Sequence, residues 1–250
     1  MYTGIAQVYD QLNRDVNYEK WADYIVSIFK RFDYKPELVL ELACGTGSFA
    51  TIMSSRGYEM ICVDMSEEML TVAREKSIAS GENILFLQQD MTSFELYGTV
   101  GAIVCLLDSV NHLQSIDDVK TMIGLCYNYL DPGGLLIFDV NTQVKLEHIY
   151  GDNVFYVDEE DFTCIWQCAY NKSVKRSEID IALFHKIRDL YARTDDTVIE
   201  IAFDLEELER VCLDSGFACE GVYDQFTMDQ YTDQSERVFY IARKSGEKNK

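Results

Sequence analysis

Leu38-Val39-Leu40-Glu41-Leu42-Ala43-Cys44-Gly45-Thr46-Gly47 is the stretch that decides the fold. Residues 38–42 are apolar enough for a strand buried on both faces, and the glycine turn after them leads into a helix at about 47–56. Glycines at a strand end let a ligand approach the backbone and leave the first amides of the helix free to bind it. Read as Gly45-x-Gly47-x-x-Ala50, the turn also satisfies the dinucleotide fingerprint. Glu41, beneath the turn, separates the two readings. A pyrophosphate avoids a nearby carboxylate, whereas an ammonium or sulfonium welcomes one.

Outward from this turn the chain alternates. Met60–Val63 is a second strand closed by Asp64, 17 residues after Gly47, whose carboxylate can accept from both hydroxyls of a ribose. The bland alternative for Asp64 is a helix N-cap. Ser66 caps a helix running to about Ser80, with Glu67 and Glu68 in the first turn, where the helix dipole favours anions. Residues 84–87 form a third strand, followed by Asp90 and Met91, placed to read an adenine edge and cover its ring; an ordinary loop acid is the alternative. A fourth strand over 102–107 leads to Leu107-Asp108-Ser109-Val110-Asn111-His112, and Ser115 caps the next helix. Leu130-Asp131-Pro132-Gly133-Gly134 reads as a tight turn before a fifth strand, 135–138. Upstream, Tyr18, Trp21, Ile25, Ile28, Phe29 and Phe32 share one face of a helix closed by Pro36. Apolar strands alternating with helices predict a parallel sheet covered on both faces.

The period changes after about residue 150. Phe162, Cys164, Trp166, Cys168 and Tyr170 alternate with Asp161, Thr163, Ile165, Gln167 and Asn171, and Ile179, Ile181, Leu183 and Ile187 repeat the alternation, predicting half-buried antiparallel strands. Trp166 and Cys168 read as a buried sheet face in preference to a substrate wall. The helical pattern returns at Asp204-x-x-Glu207, a capping box, and ends near Gly216; strands near 218–224 and 236–243 and a frayed tail, 244–250, complete the chain. An α/β domain (1–148 and 202–245) is thus expected to carry an antiparallel insertion, 149–201.

The chain has 250 residues, with 22 Lys+Arg against 43 Asp+Glu and a net charge of -21. Such a surface repels nucleic acid and anionic membranes and suits a small substrate or a basic protein. The eight cysteines contain no CxxC and read as buried free thiols of a reducing compartment. Cys164 and Cys168 begin a CxxxCxxC pattern whose third position is Asn171, so no metal site is expected. The opening residues lack a signal-peptide pattern and no window is apolar enough to span a membrane, pointing to the cytoplasm.

In combination these motifs resemble the class I S-adenosylmethionine-dependent methyltransferases, over about 37–142 and 203–243. Glu41 to Gly47, Asp64, Asp90 and Pro132-Gly133-Gly134 carry the resemblance. Val8-Tyr9-Asp10-Gln11-Leu12, leading to Tyr18-Glu19-Lys20-Trp21, is similar to the small-molecule branch that includes glycine N-methyltransferase-like enzymes. The resemblance implies a Rossmann-like seven-stranded sheet, order 3-2-1-4-5-7-6, with the last strand antiparallel. It implies S-adenosyl-L-methionine as cofactor, bound by Tyr9, Arg14, Glu41, Ala43, Gly45, Gly47, Asp64, Met65, Asp90, Met91 and Leu106, with Tyr9 covering it and Arg14 meeting its carboxylate. The insertion sits where family members place a substrate cap. Methyl transfer to an N, O or S nucleophile follows, with His112 and Asp108 as candidate proton-handling groups; His112 as a backbone-satisfied loop residue and Tyr9 as a packing residue are the bland alternatives. A non-catalytic regulatory module that binds S-adenosylmethionine, or an NAD-dependent oxidoreductase using Gly45, Gly47 and Asp64, are the rival functions.

Overall fold

A computed structural model of the chain describes residues 5–246. The expectations for the first four residues and for tail residues 247–250 fall outside that range. Lys244, expected in the frayed tail, instead ends a strand, and its Nζ donates to Leu130 O at 2.7 Å.

The parallel half alternates as the sequence predicts. After a short helix α1 (Tyr9–Leu12) and α2 (Tyr18–Arg31) come β1 (Leu38–Leu42), α3 (Ser48–Ser55), β2 (Glu59–Asp64), α4 (Glu67–Ser80), β3 (Leu85–Gln88) and β4 (Val100–Cys105). A 3-10 turn (Ser109–His112), α5 (Ile116–Tyr129) and β5 (Leu130–Asn141) follow. The chain then leaves this sheet through a π-helical turn, Lys145–Tyr150, and returns after the insertion with α6 (Leu205–Asp214) and two last strands, Phe217–Asp224 and Arg237–Lys244.

With the insertion strands numbered β6 to β9, those last strands are β10 and β11. The seven-stranded order is β3-β2-β1-β4-β5-β11-β10, with β11 antiparallel to both neighbours. Alternate residues of each central strand feed opposite cores. Val39, Cys62, Ala102, Val104 and Ile137 pack with Trp21, Ile25, Ile28 and Phe29 of α2 and Phe49 and Met53 of α3. Leu40, Leu42, Ile103, Cys105 and Phe138 pack with Val119, Met122 and Ile123 of α5 and Leu208 and Val211 of α6. Burial on both faces is why these strands read as unbroken apolar runs.

Two local expectations change. Leu130–Gly134 is a bulge within β5 rather than a turn before it: Leu130 pairs with Val100 and Leu135 with Ala102, so four residues lie opposite Gly101. The insertion holds four strands, β6 (Val154–Asp158), β7 (Phe162–Asn171), β8 (Arg176–Ile187) and β9 (Leu190–Ile201), in antiparallel order β6-β7-β8-β9. Only two of these had an apolar alternation strong enough to read; Thr194, Asp195, Asp196 and Thr197 mask β9, whose partners lie on β8. All eight cysteines are free, seven of them buried. Among the described residues, no helix is long and apolar enough to cross a membrane.

Candidate active site

Parallel strands bring their carboxyl ends to one edge, and there a cavity of about 530 Å³ opens. Glu41, Ala43 and Gly45 line it from the end of β1, Asp64 and Met65 from β2, Asp90 and Met91 after β3, and Leu106, Asp108 and His112 after β4. Tyr9 lines it from α1. The structure therefore brings together most of the residues expected to meet a cofactor.

Each is held by a definite local cause. Gly45 adopts φ +54°, and a Cβ there would meet no protein atom within 4 Å, so backbone is laid bare to a ligand. Asp64 is fixed by two amides: Gly45 N donates to Oδ2 at 2.8 Å and Ser66 N to Oδ1 at 2.8 Å. It is not the helix cap, since Ser66 Oγ accepts from Met69 N. Burial raises its carboxyl while those amides pull it down, the first outweighing the second. Glu41 is buried, and burial plus the nearby Asp64 push its carboxyl up to about 8. An acid so raised is a poor neighbour for phosphate and gains most from a cation, which restores its ionised form. Asp90 Oδ1 accepts from Thr92 N and Thr92 Oγ1, both at 2.7 Å, which ties it into its own loop and aims it at the cavity's rim.

Two expected residues do not reach the cavity wall. Arg14 is exposed and its guanidinium pairs with Glu159 of the insertion, because the turn after α1 carries it away from the β1 edge. Gly47 serves packing instead: with φ +69°, its missing Cβ leaves room for Ala73 Cβ of α4 at 3.0 Å and the Phe86 ring of β3. Thr46 and Ser48, which sequence reading passed over, line the cavity in its neighbourhood. Lys76 Nζ holds them from α4, 2.6 Å from Ser48 Oγ and 3.2 Å from Thr46 Oγ1, and Asp10 Oδ2 of α1 lies 2.5 Å from the same Nζ. Nothing in a helical lysine at position 76 signals this.

Beyond Asp108 and His112 lies a second chamber of about 200 Å³ under the inserted sheet. Tyr9, Asp108 and His112 line both spaces. Trp166 and Cys168, expected as a sheet face in preference to a substrate wall, line the second chamber as well. Strand β9 divides its side chains: Thr197 and Ile199 face the larger cavity, Val198 and Glu200 the smaller. Sequence reading missed Glu200, because Thr194 and Asp196 on the same face of β9 hide any alternation there.

A buried charge system braces this junction. Leu107 and Asp108 both take left-handed backbones, φ +58° and +54°, an uncommon pair for residues other than glycine. Asp139 Oδ2 accepts from Asp108 N at 3.0 Å, and Arg237 of β11 pairs with both Asp139 and Asp108. Burial would raise Asp108, but Arg237 and Lys145 outweigh it and hold the carboxyl low. Asp108 is thus a fixed negative charge rather than a group that trades protons near neutrality. His112 Nδ1 lies 3.3 Å from Ile199 O, which orients the ring. Donor atoms of Asp108, His112 and Glu200 fall within 4.8 Å of one another. Arg237 on Asp108 and Lys145 beside it already supply positive charge, so the donor set suits a divalent ion poorly.

Comparison with known proteins agrees with this geometry. Residues 39–134 match the family described as a methyltransferase domain. YqeM of Bacillus subtilis (strain 168), which carries a provisional methyltransferase name, is 36% identical over 98% of both chains. The crystal structure of an S-adenosylmethionine-dependent methyltransferase from Clostridium acetobutylicum ATCC 824 superposes with TM-score 0.87 at 28% identity, over 98% of this chain and 99% of that one. The amino pentose methyltransferase CalS10 of Micromonospora echinaspora, solved with S-adenosylmethionine bound, shares the fold at TM-score 0.74 and 16% identity, over 95% and 97% of the two chains. The strand order, the acidic cavity at the β1–β4 edge and these likenesses together make the chain a member of the class I S-adenosylmethionine-dependent methyltransferases, an enzyme whose cofactor is S-adenosyl-L-methionine.

Proposed function

We propose that the larger cavity holds the methyl donor and the smaller chamber the methyl acceptor, a small molecule, with transfer at the neck formed by Tyr9, Asp108 and His112. The observation that carries this reading is the sharing of those three residues by both spaces. When bound, S-adenosylmethionine supplies an electrophilic methyl: the acceptor's lone pair forms the new bond, the sulfur–methyl bond breaks, and its electron pair stays on sulfur. The fit rests on Glu41 and Asp64, two buried acids suited to a cationic nucleoside, and on the bare backbone at Gly45.

Asp64 keeps spare lone pairs on both oxygens after taking its two amides, enough to accept from two ribose hydroxyls. Asp90 and Met91 receive the adenine, Met65 and Leu106 supply apolar wall, and Tyr9 covers the neck. Burial and Asp108 raise the Tyr9 phenol, so it remains a hydrogen-bond donor and not a base. Positioning and exclusion of water are the main demands on such a transfer, and orientation alone can lower the barrier by about 7–11 kcal/mol. The insertion, 149–201, acts as the acceptor's cap on the α/β domain. The buried free thiols suit the cytoplasm.

Calorimetric titration with S-adenosylmethionine and with NADH tests the reading, with saturable binding expected for the first alone. Binding of NADH without S-adenosylmethionine would overturn it in favour of the oxidoreductase. Screening metabolites for transfer of a labelled methyl group then identifies the acceptor; a chain that binds the donor and methylates nothing would be the regulatory module.

A further inference from the structure

We propose that the chamber under the inserted sheet takes the methyl acceptor as a small cationic amine, and that Glu200 removes the proton the amine must lose before methylation. This deepens the reading of the two cavities and rests on it.

The chamber's chemistry selects a cation. Tyr150 and Trp166 offer aromatic faces, Ile179 and Val198 aliphatic wall, and Asp108 and Glu200 two carboxylates, while among the described residues no lysine or arginine lines it. Its volume of about 200 Å³ suits a molecule the size of one ring. Glu200 is 3% exposed. Its Oε2 accepts from Asn141 Nδ2 at 2.9 Å, and among the described residues no hydrogen bond reaches Oε1. One oxygen of a buried acid is therefore left for whatever fills the chamber.

The groups around Glu200 come from every neighbouring element. Asp108 and His112 face it from the loop after β4, Asn141 from β5, and Lys145 and Tyr150 from the π-helical turn. Cys168 approaches from β7, and Ser177 of β8 lies opposite it in register. Lys145 Nζ donates to Asn141 Oδ1 at 3.0 Å, and Arg237 of β11 is committed to Asp108 and Asp139, so neither cation claims the free oxygen. Burial and then Asp108 push Glu200 up to about 7, against His112, Asn141 and Lys145, while Arg237 keeps Asp108 low. Two acids driven apart in this way divide the work: one holds charge and the other exchanges protons near neutrality.

The step balances. An ammonium gives one proton to the Glu200 carboxylate, leaving a neutral amine and a carboxylic acid. The freed lone pair forms the nitrogen–carbon bond as the sulfur–carbon bond breaks, with that electron pair remaining on sulfur. The product leaves as an N-methylammonium, and Glu200 returns its proton to solvent.

Benzylamine and benzyl alcohol, titrated calorimetrically into the full chain, test the assignment. Benzylamine is expected to bind saturably and at least tenfold more tightly than the alcohol. Its affinity should rise between pH 6 and pH 8 as Glu200 ionises. Glu200→Gln should lose both the rise and about tenfold in affinity, and Val198→Phe, which fills the chamber from the same strand face, should abolish binding. Equal binding of the alcohol, absence of amine binding, or survival of the pH rise in Glu200→Gln overturns the proposal. If Glu200→Gln does not fold, Val198→Phe and the amine–alcohol contrast decide. A separate titration with S-adenosylhomocysteine keeps the two readings apart: its failure counts against the donor site, and amine binding alone decides this one.

Discussion

The two sheets build their cavities by opposite routes. In the seven-stranded sheet the parallel strands β1 to β4 end at the same edge, so the residues just past them converge although each belongs to a separate short motif. In the inserted sheet the wall comes from side chains at every second position, spread from Cys164 to Glu200 over strands running in opposite directions. The first kind of site is written in consecutive letters and tolerates little change. The second is written in a periodicity any apolar strand shares, and can be rebuilt while its frame stays the same.

The seam between the sheets is where this comparison breaks most easily. Arg237 is 6% exposed, Asp139 is fully buried, and Asp139 Oδ1 has no partner among the described residues. Arg237→Met leaves the buried Asp139 and the half-buried Asp108 without their cation. A loss of about 3–5 kcal/mol in stability by chemical denaturation is expected, the range for removing one member of a buried pair. A loss under about 1 kcal/mol would mean that water reaches the triad and that the seam is looser than its packing implies. Next in size is Asp64→Ala, which removes charge-assisted hydrogen bonds to the donor. Calorimetry should show affinity for S-adenosylmethionine weakened by roughly 1.5–3 kcal/mol, with benzylamine binding unchanged. Equal losses of both ligands would show that the two spaces are one site.

The same contrast explains what could be read beforehand. The alternation of strands and helices, both helical layers and the positions of Glu41, Asp64 and Asp90 were legible because local pattern and global burial agree there, whereas the sheet order came from the resemblance alone. The second chamber was not. Glu200 acts through Asn141, Asp108 and Lys145, which lie far from it in sequence, and β9 hides behind Thr194, Asp195 and Asp196 because its pairing with β8 supplies what its own composition lacks. Lys76 is opaque for a similar reason: only the packing of α1 and α4 around the glycine turn gives it a role.

Glu41 gives a sharper test through pH. Its carboxyl ionises near the ordinary 4.5 in the unfolded chain and at about 8 in the fold. The folded state therefore holds the proton longer, and stability present at low pH is lost as pH rises through about 8. Thermal melts of the ligand-free chain should fall between pH 5.5 and pH 8, with Glu200 adding a decline of the same sign up to about 7. Glu41→Gln should flatten most of the upper part of that fall. A bound cation favours the ionised carboxylate, so S-adenosylmethionine affinity should climb over the same interval, and should not in Glu41→Gln. A slope identical in both chains would place the titrating group elsewhere.

The smallest expected effect concerns Arg14, where resemblance and structure part. The resemblance puts an arginine on the donor's carboxylate, yet here the guanidinium is 60% exposed and spans to Glu159 of the inserted sheet. An exposed pair of this kind contributes about 0.2–1 kcal/mol, so Arg14→Ala should shift S-adenosylmethionine affinity by well under tenfold. Thr46 and Ser48, braced by Lys76 and Asp10, would then carry the polar end of the donor, and Lys76→Met should cost more than Arg14→Ala in the same titration. If Arg14→Ala proves the costlier of the two, α1 must swing its following turn toward β1 on binding and give up Glu159. The segment joining the two sheets would then be the moving part of the enzyme, and donor binding would reset the cap that encloses the acceptor.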